Sequence, residues 1–123
     1  MIEVKPFCKP NSVKDPNNKT LLEKQHSPVI ELPSKVRSGE FFTAVIRVGE
    51  IEHPNQNDHF IHWLKIYLDD LYLTRTDFTP VMTKPEITLS LKIAKGSGKK
   101  LIRAVTRCSQ HGIWESTKAI EVQ

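Results

Sequence analysis

An all-β fold, an antiparallel β-sandwich, is predicted by three features of the 123-residue sequence. Short runs rich in β-branched and aromatic residues alternate apolar with polar at a period of two. Clusters of Gly, Pro, Asn and Asp stand between these runs as turns. No window of useful length repeats its apolar residues at the helical period.

The elements follow in order. Residues 1–22 read as an irregular arm, because Pro6, Pro10 and Pro16, with Asn11, Asn17 and Asn18, break every periodic pattern. Such an arm either wraps a neighbouring subunit or lies as a frayed tail. Residues 23–123 form the sandwich domain. Val29–Leu32 is a short apolar run ended by Pro33, and Ser38-Gly39 makes a turn. Phe41–Val48 places Phe42, Ala44, Ile46 and Val48 on one face. In Phe60–Leu68, Ile61, Trp63 and Tyr67 oppose Leu64, Ile66 and Leu68. Asp69-Asp70 turns the chain into Leu71–Phe78. Ile87, Leu89, Leu91 and Ile93, separated by Thr88, Ser90 and Lys92, form the clearest alternation in the chain. Gly96-Ser97-Gly98 is expected to close a hairpin into Leu101–Arg107, and Ala119–Val122 is a last short strand. About seven strands so arranged make a sandwich of immunoglobulin-like type, whose end loops lie close together.

Hydrophobic residues make up 38% and charged residues 26%, as in a globular domain with one core. No apolar run approaches the ~20 residues of a membrane span. Met1 to Pro10 holds no apolar stretch of the signal-peptide kind, so a cytoplasmic location and free thiols at Cys8 and Cys108 are expected. The net charge of +4 favours small anions or an acidic partner. Nucleic acid is a poor fit, since no basic run is interleaved with aromatics.

Four of the five histidines and one cysteine fall in three short turn-like segments at strand ends. These are His26-Ser-Pro-Val-Ile, His53-Pro-Asn-x3-His59 and Cys108-Ser-Gln-His111-Gly-Ile-Trp114. Singly, each residue has a plainer reading: a small buried hydrophobe for Cys108, loop histidines for the rest. Together they make a five-ligand set for one metal. Cys108 is the thiolate, His111 returns to the same ion across the turn at Gly112, and Trp114 shields the sulfur. His62 lies inside a strand pattern and is read as a non-ligand. Four imidazoles and a thiolate suit iron, which extends to six positions, whereas structural zinc stops at four. An open sixth position on a redox metal invites a small oxygen species.

Over residues 23 to 116 these three ordered motifs resemble the superoxide reductase family, also called desulfoferrodoxin or neelaredoxin, in its single-iron form. The resemblance implies an immunoglobulin-like fold and a ferrous ion held by His26, His53, His59 and His111 in a plane, with Cys108 axial. It implies reduction of superoxide to hydrogen peroxide, an electron donor such as rubredoxin, and a homo-oligomer, dimer or tetramer. Family members carry Glu-Lys directly before the first ligand. Here the order is Glu23-Lys24-Gln25-His26, one residue longer. Lys24 is the candidate for the lysine that attracts superoxide and organises the proton-delivering water. Glu23 is the candidate for the glutamate that binds oxidised iron. Gln25 in the lysine's place would lose the charge. The short segment between Leu68 and Lys84 is more like the catalytic domain of two-iron members, but Cys8 alone cannot make their four-cysteine second centre. Cys8 is therefore read as an unligated thiol.

Two other classes compete. A cupredoxin-like electron carrier also combines a sandwich, a remote His and a Cys-x2-His turn, but it needs an axial ligand such as methionine after the second His. None follows His111, and two histidines would be left over. A non-catalytic interaction module would leave all five residues incidental.

Overall fold

In the computed structural model, which describes residues 9–123, β-strands in two sheets account for nearly all the regular structure. Cys8 and the start of the arm lie outside the described residues. One helix, α1 (Leu21–His26), precedes β1 (Pro28–Glu31), β2 (Lys35–Val36), β3 (Phe41–Val48) and β4 (Ile61–Leu68). There follow β5 (Leu71–Asp77), β6 (Glu86–Lys92), β7 (Gly98–Cys108) and β8 (Gly112–Val122). The first sheet has the order β1-β3-β6 and the second β2-β8-β7-β4-β5. Every pairing is antiparallel except the short β2–β8 contact.

Alternation determines which side chains are removed from water. Ala44, Ile46 and Val48 of β3 face Leu64 and Ile66 of β4, Ile102 and Ala104 of β7, and Ile120 and Val122 of β8 in one buried core. Burying each large aliphatic side chain contributes about 1.5–3 kcal/mol. Ile87, Leu89 and Leu91 pack on this core only half-buried, because β6 is an edge strand paired with β3 alone.

Four features differ from the sequence-based expectation. The Gly96–Gly98 segment does not close a hairpin: β6 belongs to one sheet and β7 to the other, so the connection crosses between layers. Gly96 and Gly98, at φ of 109° and 93°, give the backbone that freedom, and a glycine turn signal reads the same for a hairpin and a crossing. Ile61 joins the core at 3% exposure although strict alternation puts it with Trp63. A register shift between Ile61 and Trp63 opposite β7 moves it there. The last strand is longer than Ala119–Val122 and begins at Gly112. Its polar middle reflects a nearly unpaired edge, where Lys118 Nζ donates to the Ile30 carbonyl of the other sheet at 3.1 Å.

The fourth difference is α1, which straddles the boundary drawn between residues 22 and 23. Thr20 and Glu23 form a reciprocal capping box that stabilises a helix of only six residues. The described part of the arm is seated on its own chain. Asn11 is buried, takes the Ile113 carbonyl with its backbone N–H (2.7 Å) and Nδ2 (2.9 Å), and accepts from Glu115 N–H at 2.8 Å.

Candidate metal centre

Three connections meet at one end of the sandwich. The end of α1 brings His26, the β3–β4 connection brings His53 and His59, and the β7–β8 hairpin brings Cys108 and His111. Cys108 pairs with Gly112, so Ser109, Gln110 and His111 make a three-residue turn. Gly112 takes a left-handed φ of 82°, the conformation that lets such a turn rejoin the ladder. The His53–His59 connection is closed by reciprocal backbone hydrogen bonds between Gln56 and His59. It is tied to the hairpin through Phe60 N–H to Ser109 Oγ (3.1 Å) and Ser109 N–H to the Phe60 carbonyl (3.0 Å).

The four imidazoles stand in a closed ring, three neighbouring pairs edge to face and His59–His111 tilted at 54°. Centroids are 4.7 Å apart for His26–His53, 4.9 Å for His53–His59, 5.2 Å for His59–His111 and 5.0 Å for His111–His26. One ligand atom each from His26, His59, Cys108 and His111 falls within 4.8 Å of all the others. His53 is outside that mutual set, yet its Nε2 is 3.1 Å from His26 Nε2 and 3.2 Å from Cys108 Sγ. His26, His53 and Cys108 are buried, while His59 and His111 are half-buried.

The tautomers argue for a cation. His26 Nδ1 lies 2.7 Å from the Leu22 carbonyl and His53 Nδ1 2.6 Å from the Pro54 carbonyl. A carbonyl only accepts, so both Nδ1 atoms carry the proton and both Nε2 atoms present lone pairs. Two lone pairs 3.1 Å apart repel unless a cation lies between them. Two nitrogens bound at a right angle to one ion, each at about 2.1 Å, would stand about 3 Å apart. His59 Nε2 is likewise buried without a hydrogen-bond partner among the described residues. A proton is a poor substitute. Burial holds the pKa values of His26 and His53 down to about 4, and burial also lowers that of His59. Burial raises the Cys108 thiol, against the N–H groups of Gln110 and His111, so a metal must displace its proton. Three or four imidazoles and one thiolate fit a mononuclear non-haem iron.

Trp114 is wholly buried and stacks on His26, with centroids 5.1 Å apart and planes 22° apart, while its Nε1 donates to the His111 carbonyl at 3.0 Å. It thus holds two imidazoles in place. His62 packs beside Phe60 and is not in the cluster. Glu23 is 2% exposed and accepts from the N–H groups of Thr20 (2.8 Å) and Lys14 (3.1 Å). Lys24 precedes His26 by two helical positions, so the two side chains leave the helix on roughly opposite sides. It lines a surface groove of about 220 Å³ with Lys19 and Glu50, which pair at 3.0 Å. The carbonyls of Leu22 and Pro54 and the cap residue Thr20 went unseen in the ligand pattern. Only Thr20, in the series Thr-x-x-Glu, carried a sequence signal.

A family model described as desulfoferrodoxin matches residues 18–117. A Methanocaldococcus jannaschii protein named "putative superoxide reductase" is 42% identical over 115 residues, covering 93% of this chain and 95% of its own. A Pyrococcus horikoshii protein named superoxide reductase is 31% identical, over 79% of this chain and 88% of its own. Among solved structures, superoxide reductase (neelaredoxin) from Ignicoccus hospitalis superposes with a TM-score of 0.72 at 33% identity, over 80% of this chain and 81% of that one. No helix among the described residues is long and apolar enough to cross a membrane. With the ligand cluster in the loops that the family model spans, this chain belongs to the superoxide reductase (desulfoferrodoxin/neelaredoxin) family of oxidoreductases.

Proposed function

We propose that the chain reduces superoxide to hydrogen peroxide with one iron ion, which His26, His53, His59, His111 and Cys108 would hold. The observation that carries this reading is the closed ring of four imidazoles, each 4.7–5.2 Å from the next, with Cys108 Sγ beside it. The reaction balances as one superoxide, one electron and two protons giving one hydrogen peroxide. Iron, when bound, would supply the single electron. The protein's part is to hold the donors and set their charge. The Leu22 and Pro54 carbonyls orient His26 and His53 and raise their basicity. The buried Cys108 sulfur receives the His111 N–H at 3.4 Å and, as a thiolate, would donate charge to the bound ion.

Lys24 contributes charge rather than contact in this reading. Steering acts over about a Debye length, so a lysine in the adjacent groove can raise the capture rate of an anion. Lys24→Ala is expected to slow the second-order reaction with superoxide several-fold at low salt and to flatten its dependence on ionic strength. An unchanged rate would remove Lys24 from the mechanism. A small one-electron carrier of the rubredoxin kind is the proposed donor. A homo-oligomer is the proposed assembly, supported by the exposed apolar side chains of Phe41 and Leu71.

The test is metal analysis of protein purified without added metal, with visible spectra before and after mild oxidation, followed by superoxide kinetics. The expected result is one iron per chain, a thiolate-to-iron band on oxidation that Cys108→Ser abolishes, and one peroxide formed per superoxide without oxygen release. Copper with an intense band would instead favour an electron carrier, and a colourless, metal-free protein a binding module.

A further inference from the structure

We infer that Glu23 is a positioning residue for His26, acting through the strap formed by residues 11–23, and is not itself a ligand of the metal. The inference rests on the metal-centre reading above and assigns a different role within it to a residue of the same site. Glu23 is buried at 2% exposure, and its two carboxylate oxygens are engaged away from the ligand ring. Oε1 accepts from Thr20 N–H at 2.8 Å, and Oε2 accepts from Lys14 N–H at 3.1 Å. Its backbone N–H is held in turn by Thr20 Oγ1 at 3.1 Å, and its carbonyl receives the Ser27 N–H at 2.9 Å. Turning this carboxylate toward a metal would take the acceptors of the Thr20 and Lys14 N–H groups away and uncap the helix that carries His26.

The same bonds explain why His26 needs such support. A helix of six residues has little stability of its own. His26 is its last residue, and the acceptor that orients its imidazole, the Leu22 carbonyl, belongs to the helix itself. If the helix frays, imidazole and acceptor move together. Two ties resist this from the arm. Lys14 binds the Glu23 carboxylate, and Asn11 is hydrogen-bonded to Ile113 and Glu115 on either side of Trp114, whose indole stacks on His26. The strap therefore grips the helix from one side and the stacking partner from the other.

The experiment compares Glu23→Ala, Glu23→Gln and Thr20→Val in the full chain, using Co²⁺ as the probe. The readouts are its visible ligand-field spectrum, its affinity by chelator competition, and thermal unfolding of the metal-free protein. Thr20→Val removes the other half of the capping box without touching the carboxylate. For a positioning role, Glu23→Ala and Thr20→Val each weaken Co²⁺ binding by roughly five- to tenfold. Glu23→Gln, which keeps an acceptor for Thr20 N–H, recovers part of that loss. Ile120→Val, at a core position eight residues along β8 from Gly112, serves as a control for general destabilisation and leaves Co²⁺ affinity unchanged. The inference is overturned if Thr20→Val is silent while Glu23→Gln and Glu23→Ala alter the Co²⁺ spectrum equally, the signature of a lost ligand. It is overturned also if the Ile120→Val control weakens Co²⁺ as much as Thr20→Val does. Failure of the unsubstituted protein to bind Co²⁺ or iron at all would overturn the metal-centre reading itself.

Discussion

At the level of single residues, the centre is held by the side of each ring that faces away from it. His26 and His53 give their Nδ1 protons to carbonyls of Leu22 and Pro54, which frees Nε2 and fixes the ring planes. Trp114 adds a second constraint through its stack on His26 and its hydrogen bond to the His111 carbonyl. The two contributions can be separated. Trp114→Phe keeps an aromatic face for His26 but removes the Nε1 donor, and is expected to cost about 1–2 kcal/mol. Trp114→Ala removes both and opens a cavity, with an expected loss of about 3–5 kcal/mol. Urea unfolding of the two variants reads the difference; equal losses would mean that the indole acts through its hydrogen bond alone. The clustering of His26, His59, Cys108 and His111 was legible in the sequence because metal donors are few and their chemistry is explicit. The carbonyls that orient them were not, since every residue has one.

Between elements, the decisive junction joins the start of the β3–β4 connection to α1. Gly49 N–H donates to the Ser27 carbonyl at 3.2 Å and Ile51 N–H to the Lys24 carbonyl at 3.1 Å, which stitches the approach to His53 onto the helix carrying His26. Gly49 has a φ of 88°, and a Cβ there would lie 2.5 Å from the carbonyl oxygens of both Gln25 and Ile51. Backbone cannot swing aside as a side chain does. Gly49→Ala is therefore expected to destabilise the protein by about 2 kcal/mol or more and to weaken metal binding with it. Denaturation and chelator competition on one preparation check both, and a variant as stable as the parent would show that the stitch is dispensable. The strands were readable because alternation reports which face is buried, as Phe41–Val48 shows by agreeing at both ends. The crossing at Gly96–Gly98 and the bulge after Ile61 were not, because both depend on a partner strand distant in sequence. The helix failed the periodicity test for a simpler reason: six residues are fewer than two turns, and only its cap is diagnostic.

For the molecule as a whole, bringing three connections to one end of the sandwich places three buried histidine and cysteine side chains where they must stay uncharged without a metal. Their behaviour in acid follows from that placement. Burial depresses the pKa values of His26 and His53 from 6.5 to about 4, so between these limits the unfolded chain takes up protons that the folded chain refuses. Stability then rises with pH across this window. The metal-free protein is expected to reach its plateau above about pH 6.5 and to lose stability progressively as the pH falls toward 4, with two imidazoles contributing. His53→Gln should flatten the slope by removing one of them. Metal loading changes the curve rather than merely raising it. A bound cation adds stability by mass action, and each proton that enters the site competes with it, so the loaded protein should fall more steeply in the same window. Urea midpoints measured from pH 4 to 8, with and without metal, give both curves. A metal-free stability that is flat across this range would mean that the imidazoles accept protons in place, and that the closed ring opens readily when no metal holds it.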